Sequence, residues 1–447
     1  MSSSRERPNV LLILTDQQRW DTVGAYGSPM DLTPTLDALA RRGTRLENAV
    51  TPQPTCGPAK AALQTGKHAT ETGVWRLSRS IAGERTLAHH FGDAGYDVGF
   101  VGSWHIAGTH DAPVPRDRRG GYEDVWIAAD VPEFTTSPEE GHLYDESGEP
   151  VEFERYRADA FTDFAAEALD ALEEPFFLVV SYLEPHDQND RWTFVAPDGY
   201  ADRHATNPYV PPDLRGRPGE WYDELPDYYG MCERLDECVA RLLSVLDRGG
   251  LREDTVVGYT SDHGCHFRTR PGEHKRTCHE SAIRVPAILS GPGFDRGRTV
   301  ERVTSLVDLA PTLLDAAGVP IPDGLHGESL LPVIRGERPD GGGEAFVQIS
   351  ESEIGRAIRT PRWKYAVAAP TENGWRGGNG DPNSDVYLER YLYDLGRDPE
   401  ESVNLVGRYD YRDVADDLRE RLAAHIERVE GHEPDIRRFE DPGYREY

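Results

Sequence analysis

Short apolar, β-branched runs recur along this chain, and segments of helical period separate them. Val10–Leu14, Val98–Gly102, Pro175–Tyr182 and Val256–Thr260 read as buried strands. Thr35–Arg42, Thr86–Ala94, Asp159–Leu172 and Tyr228–Arg248 read as helices, the first two stopped by Gly43 and Gly95. A strand that is apolar on both faces must be covered on both, and a helix between successive strands makes the connection parallel. The pattern therefore predicts an α/β fold, a large mostly parallel sheet sandwiched by helices. On the last helix, Cys232 and Cys238 lie among Met231, Leu235, Val239 and Leu242 and read as core. Beyond Gly341-Gly342-Gly343 come short strands at Ala345–Ile349 and Trp363–Val367 and a helix at Val414–Val429. The expected division is a catalytic domain over residues 1–340 and a small C-terminal α+β subdomain over 341–447. The segment Asp111–Pro150 has weak periodicity and reads as an irregular insert, a lid or substrate loop. Its Tyr122, Trp126 and His142 are either substrate contacts or packing residues.

Charge narrows the partners. Acidic residues number 79 against 49 basic ones, a formal charge of −30, and the only lysines are Lys60, Lys67, Lys275 and Lys364. Such a surface resembles that of proteins from salt-accumulating organisms, where salt screens the self-repulsion, and it disfavours nucleic acid. Met1–Pro8 is polar, no apolar run reaches membrane-spanning length, and the five cysteines are sparse and odd in number. The expectation is a cytoplasmic enzyme with no membrane partner and no disulfide framework.

Polar residues collect just past the carboxyl ends of the predicted strands: Asp16 and Gln17, His105, His186, then Asp262 and His263. Open α/β sheets bind ligands at that edge. Asp16, Gln17, Asp262 and His263 offer three oxygen-type ligands and one imidazole. That mixture suits one hard divalent cation, Ca²⁺ ahead of Mg²⁺ and either ahead of zinc. Cys265, His266, Cys278 and His279 admit a zinc reading, but their spacing matches no common zinc pattern. Lys275 stands in the loop from Gly272 to Glu280 and is notable in a chain that otherwise uses arginine. Cys56 opens a short helix, with Pro58 in its first turn and Gly66 as terminator. The helix N-terminus suits an anion, and its field is expected to lower the pKa of the thiol.

The stretch Thr55-Cys56-Gly57-Pro58-Ala59-Lys60 resembles the type I sulfatase signature Cys-x-Pro-x-Arg, in which the cysteine is oxidised to formylglycine. Lys60 replaces the arginine. Gly102-Ser103-Trp104-His105 is similar to the family's Gly-Lys-Trp-His, with Ser103 in place of a sulfate-binding lysine; Arg76 and Arg79 are the nearby candidates to compensate. Asp16-Gln17, Asp262-His263, the lysine of the 272–280 loop and Glu184-Pro185-His186-Asp187-Gln188-Asn189-Asp190 match family segments. So do Leu306–Thr312, Leu392–Leu395 and Asn404-Leu405, which extends the resemblance over residues 8 to 430.

The resemblance implies an alkaline-phosphatase-superfamily fold and hydrolysis of a sulfate monoester, of a carbohydrate or an aryl alcohol. It implies a formylglycine at position 56, made by a formylglycine-generating enzyme, whose hydrate attacks sulfur beside the divalent cation. Lys60 would steady the hydrate and His105 would take a proton from it. His186 would meet the ester or leaving oxygen, and Lys275 would neutralise the sulfate. Two other readings stay open: a phosphodiester or phosphonate monoester hydrolase of the same superfamily, and a degenerate relative that binds an anion without turnover.

Overall fold

Ten strands form one large sheet in the computed structural model, which describes residues 7–188, 191–219, 221–270, 273–294, 297–370 and 381–439. They are β1 (Asn9–Thr15), β2 (Thr44–Val50), β3 (Asp97–Ser103), β4 (Val125–Ala129) and β5 (Glu140–Tyr144). Then come β6 (Pro150–Glu154), β7 (Phe176–Ser181), β8 (Thr255–Ser261), β9 (Ala287–Ser290) and β10 (Arg298–Ser305). Their spatial order is β10-β2-β9-β8-β1-β7-β3-β4-β5-β6.

The centre is built as the apolar runs require. Every residue of β1, β7 and β8 is buried, and β1 pairs in parallel with the other two. Leu11 and Ile13 point into a core shared with the helices Pro34–Arg42, Arg157–Ala171 and Trp221–Gly249. Val10, Leu12 and Leu14 point the other way, toward Cys56–Thr65, Leu87–Asp93 and Leu309–Ala316. Each such side chain contributes about 1.5–3 kcal/mol by leaving water. Register carries this packing to the site. Leu14 lies opposite Ser181 and Thr15 opposite Ser261, so the three strands end level and deliver their following loops side by side.

The sheet is mostly parallel as expected, with antiparallel parts: β9 runs antiparallel between β2 and β8, and β4, β5 and β6 form an antiparallel meander. Two expectations change. Short local connections such as the β5–β6 turn can only join antiparallel strands. That meander occupies most of Asp111–Pro150, so the segment is the edge of the sheet and not an irregular insert. Its Tyr122 and Trp126 are fully buried with Phe100 and Trp104, ring centroids 5.2 to 5.5 Å apart, and His142 bonds Tyr144. Packing is their role. The long helix begins at Trp221 and runs through Pro226, because burying Leu225, Tyr228 and Tyr229 against Phe194 and Phe267 offsets the roughly 3 kcal/mol cost of an internal proline.

A second sheet follows Gly341–Gly343: β11 (Ala345–Ile349), β12 (Gly355–Arg359), β13 (Trp363–Ala368), β14 (Val386–Asp394) and β15 (Asp435–Arg437), in that order. The helix Arg412–Glu430 covers one face through Leu418, Leu422 and Ile426. The other face packs Val347 and Ala357 against Val50, Cys278 and Ile283 of the large unit. The five cysteines are unpaired, with Cys232 and Cys238 in the core. No helix of the described residues is long and apolar enough to cross a membrane.

Candidate active site

The loops after β1, β3, β7 and β8 converge with the helix Cys56–Thr65 on one cleft of 730 Å³. Gln17, Cys56, His105, His186 and Lys275 line it. Gly57 lets the helix approach, since a Cβ there would stand 2.8 Å from the His105 carbonyl oxygen. Gly66 closes the helix in the left-handed conformation, φ 66°, as expected. Gln17 and His105 are themselves left-handed, with φ of 71° and 64°. Such residues persist only where the surroundings over-determine them. The Gln17 N–H donates to Asp262 Oδ1 at 3.1 Å, and its carbonyl accepts from the Tyr228 hydroxyl at 2.8 Å.

At the base, Cys56 Sγ lies 3.3 Å from both Asp16 Oδ1 and His263 Nε2. Asp16, Cys56, Asp262 and His263 present ligand atoms within 4.8 Å of one another, and all four are buried. His263 Nδ1 stands 2.9 Å from the Gly264 carbonyl, which can only accept, so Nδ1 carries the proton. The Nε2 lone pair then faces Asp16 Oδ1 at 3.5 Å and Asp262 Oδ1 at 3.6 Å. Gln17 donates through Nε2 to Asp187 Oδ1 at 3.1 Å. Its Oε1 and Asp262 Oδ2 are buried without a hydrogen-bond partner. Acceptors converging on acceptors fit a cation, and this oxygen-rich donor set fits Ca²⁺ or Mg²⁺. Burial opposes the charge of Asp16, but Lys60, His186, Lys275 and His263 overcome it and hold its carboxyl well below the usual range. Burial, and then Asp16, push Asp262 well above it. Among the described residues, Cys265, His266, Cys278 and His279 form no such cluster.

Above this base sit two ammonium–imidazole pairs. Lys275 Nζ is 2.9 Å from Cys56 Sγ and 2.8 Å from His186 Nε2. An ammonium only donates, so His186 accepts at Nε2 and holds its proton at Nδ1, 2.6 Å from the Asp187 carbonyl. Burial opposes the Lys275 charge, but Cys56 and Asp16 hold its pKa above the ordinary value. The lysine is placed from behind: the Arg276 carbonyl accepts from Ser352 Oγ at 2.8 Å, and Glu280 is clamped by Lys364 at 2.7 Å and Arg359 at 3.1 Å. Asn189, Asp190 and Gly272 lie outside the described residues.

The second pair resolves the two departures from the family pattern. Lys60 Nζ reaches Ser103 Oγ at 2.9 Å, His105 Nδ1 at 3.0 Å and Asp16 Oδ2 at 3.2 Å. One ammonium therefore occupies the space beside position 103. Arg76 and Arg79 do not compensate; both guanidinium groups lie over the Trp75 ring. His105 holds its proton at Nε2, 3.0 Å from Glu133 Oε2. Burial opposes the Glu133 charge, and pairing with His105 overcomes it and lowers the carboxyl to about 2.

Glu133 escaped the sequence reading because it stands on the short helix Pro132–Thr135, inside the segment read as irregular. Glu133→Gln is expected to lower kcat about tenfold with KM little changed, because the amide keeps an acceptor for Nε2–H but loses the charge. Steady-state kinetics on a sulfate ester check it, and an unchanged kcat refutes it. The expectation that the helix end lowers the Cys56 thiol pKa is overturned. Burial and then Asp16 push it well above the ordinary value, since full desolvation outweighs a partial helix-end charge.

Comparison with known proteins adds four findings. A family model described as "Sulfatase" matches residues 8–319. An ulvan-active sulfatase of Formosa agariphila is 32% identical over 442 residues, covering 93% of this chain and 80% of that one. An arylsulfatase of Clostridium perfringens is 25% identical, covering 95% and 96%. A solved structure in complex with its substrate D-glucosamine-2-N,6-O-disulfate shares the fold, with TM-score 0.76, 22% identity and coverage of 96% and 99%.

Proposed function

The chain belongs to the sulfatase family, and from that premise we propose that it hydrolyses a sulfate monoester of a carbohydrate with a formylglycine made from Cys56. The observation that carries this reading is the meeting of Cys56 Sγ with Lys275 at 2.9 Å above the cation-type cluster of Asp16, Asp262 and His263, with Gln17 bonded to Asp262 beside it. A formylglycine at 56 supplies, as its hydrate, an oxygen nucleophile. A divalent cation held by Asp16, Gln17, Asp262 and His263 supplies Lewis-acid stabilisation and lowers the pKa of that nucleophile.

The side chains of the protein do the rest. Lys275 neutralises sulfate oxygens, and its bond to His186 Nε2 puts a protonated partner beside the imidazole that meets the leaving oxygen. His105 is the proton acceptor of this reading, and Glu133 holds its Nε2–H and would steady the charge that results. Lys60, 3.0 Å from His105 Nδ1, fixes the imidazole in the resting site and pairs with Asp16.

Cys56 is 2% exposed and its whole helix is buried, so a formylglycine-generating enzyme must reach the segment before it folds. Five unpaired cysteines support a cytoplasmic setting.

Turnover of para-nitrophenyl sulfate tests the reading. Lys275→Ala is expected to lower kcat/KM by a factor on the order of 10²–10³. Undiminished turnover in Lys275→Ala and His105→Ala, or faster cleavage of an aryl phosphodiester than of the sulfate, refutes it.

A further inference from the structure

We propose that Phe134 and Trp192 form an aromatic platform that seats a sugar ring at the mouth of the cleft, an inference that rests on the sulfatase reading above. Among the described residues, Phe134 is 62% exposed and Trp192 70% exposed, and both line the cavity that contains Cys56. Single exposed apolar side chains are ordinary on a surface. Two large aromatics from separate segments, on the rim of the same catalytic cleft, are not scatter.

Both rings stand on fixed backbone. Phe134 follows Glu133, which is bonded to His105, and its ring centroid lies 5.9 Å from that of His110. The Trp192 N–H donates to the Gln188 carbonyl at 2.7 Å, and Gln188 Oε1 accepts from the buried Arg157 at 3.2 Å. The Trp192 carbonyl accepts from Arg268 at 3.3 Å. Exposed rings on anchored turns lose little entropy when a ligand covers them.

The surroundings point to a sugar over a plain aryl group. A pyranose offers an apolar face of C–H bonds and an edge of hydroxyls. Phe134 and Trp192 suit the face, and Asp187, Arg268, Glu273 and His274 on the same cavity wall suit the edge. An aryl sulfate would leave those polar groups facing a hydrocarbon edge. The cavity, at 730 Å³, has room for a ring beyond the sulfate group held at Lys275.

The test measures Trp192→Ala, Phe134→Ala and Trp192→Phe on ulvan oligosaccharides and glucosamine sulfate, with inhibition by inorganic sulfate reading the inner site. Each alanine is expected to raise KM for the sugar sulfate about tenfold more than it raises the sulfate inhibition constant. Trp192→Phe is expected to recover most of that loss, which a merely folding-related role would not produce. Equal losses on sugar sulfate and inorganic sulfate overturn the platform. So does an unchanged sugar KM, or a wild-type protein that cleaves para-nitrophenyl sulfate but no sugar sulfate. A wild-type protein that cleaves no sulfate ester at all refutes the reading beneath, and the platform with it.

Discussion

Cys56→Ala is expected to lower kcat on para-nitrophenyl sulfate by roughly a millionfold, the scale seen when a nucleophile is removed from a preorganised site. The size of the effect follows from position. Cys56 Sγ is touched by Asp16 and His263 at 3.3 Å and by Lys275 at 2.9 Å, so the groups converging on the cleft aim at the atom that this substitution deletes. Alanine leaves the helix intact, being the best helix former, and the loss is therefore chemical and not a loss of fold. Peptide mass spectrometry across Cys56 belongs to the same experiment. Active wild-type protein is expected to show the thiol-to-aldehyde mass loss. Full activity with an unmodified thiol, or substantial activity in Cys56→Ala, refutes the nucleophile. Lys60 is part of this question, because it sits four residues on, one helical turn from Cys56 and on the same face. Its ammonium reaches Asp16 at 3.2 Å from there, which gives position 60 a role in the folded site besides any role in maturation.

The centre of the fold was legible in the sequence, and its edges were not. β1, β7 and β8 are apolar on both faces, a pattern with few other solutions, and their level ends brought Asp16, His186, Asp262 and His263 together as expected. The meander β4–β6 was hidden because its strands are only five residues each, and β5 and β6 each bury a single residue fully. That is too short a window to separate from loop. Glu133 was lost with it. The partner of Ser103 was illegible for another reason. Lys60 and Ser103 are 43 residues apart, and only the close approach of helix to strand end shows that one ammonium serves both departures from the family pattern. The thiol of Cys56 misled because helix-end charge can be read from sequence, whereas burial cannot.

Removing the divalent cation is expected to cost on the order of 10³ or more in kcat/KM, with recovery on adding Ca²⁺ or Mg²⁺, since such an ion contributes several kcal/mol of transition-state stabilisation. The substitution that isolates this effect is Asp262→Asn. Asp262 Oδ1 accepts from the backbone N–H of Gln17 at 3.1 Å and of His263 at 2.8 Å, and an asparagine carbonyl can keep both bonds. Its amide nitrogen then replaces Oδ2, the buried oxygen without a hydrogen-bond partner, and turns a donor toward the cluster. The loops would stay in place while the proposed cation lost a ligand and a charge. Wild-type protein is therefore expected to melt a few degrees higher in Ca²⁺, since an ion at a hundred times its Kd adds about 2.7 kcal/mol to the folded state. Asp262→Asn is expected to show neither that shift nor the recovery of turnover. Chelated protein that keeps full activity, or an Asp262→Asn variant stabilised by Ca²⁺ as strongly as wild type, would mean that the converging lone pairs of Asp16, Gln17, Asp262 and His263 are balanced by Lys60 and Lys275 alone.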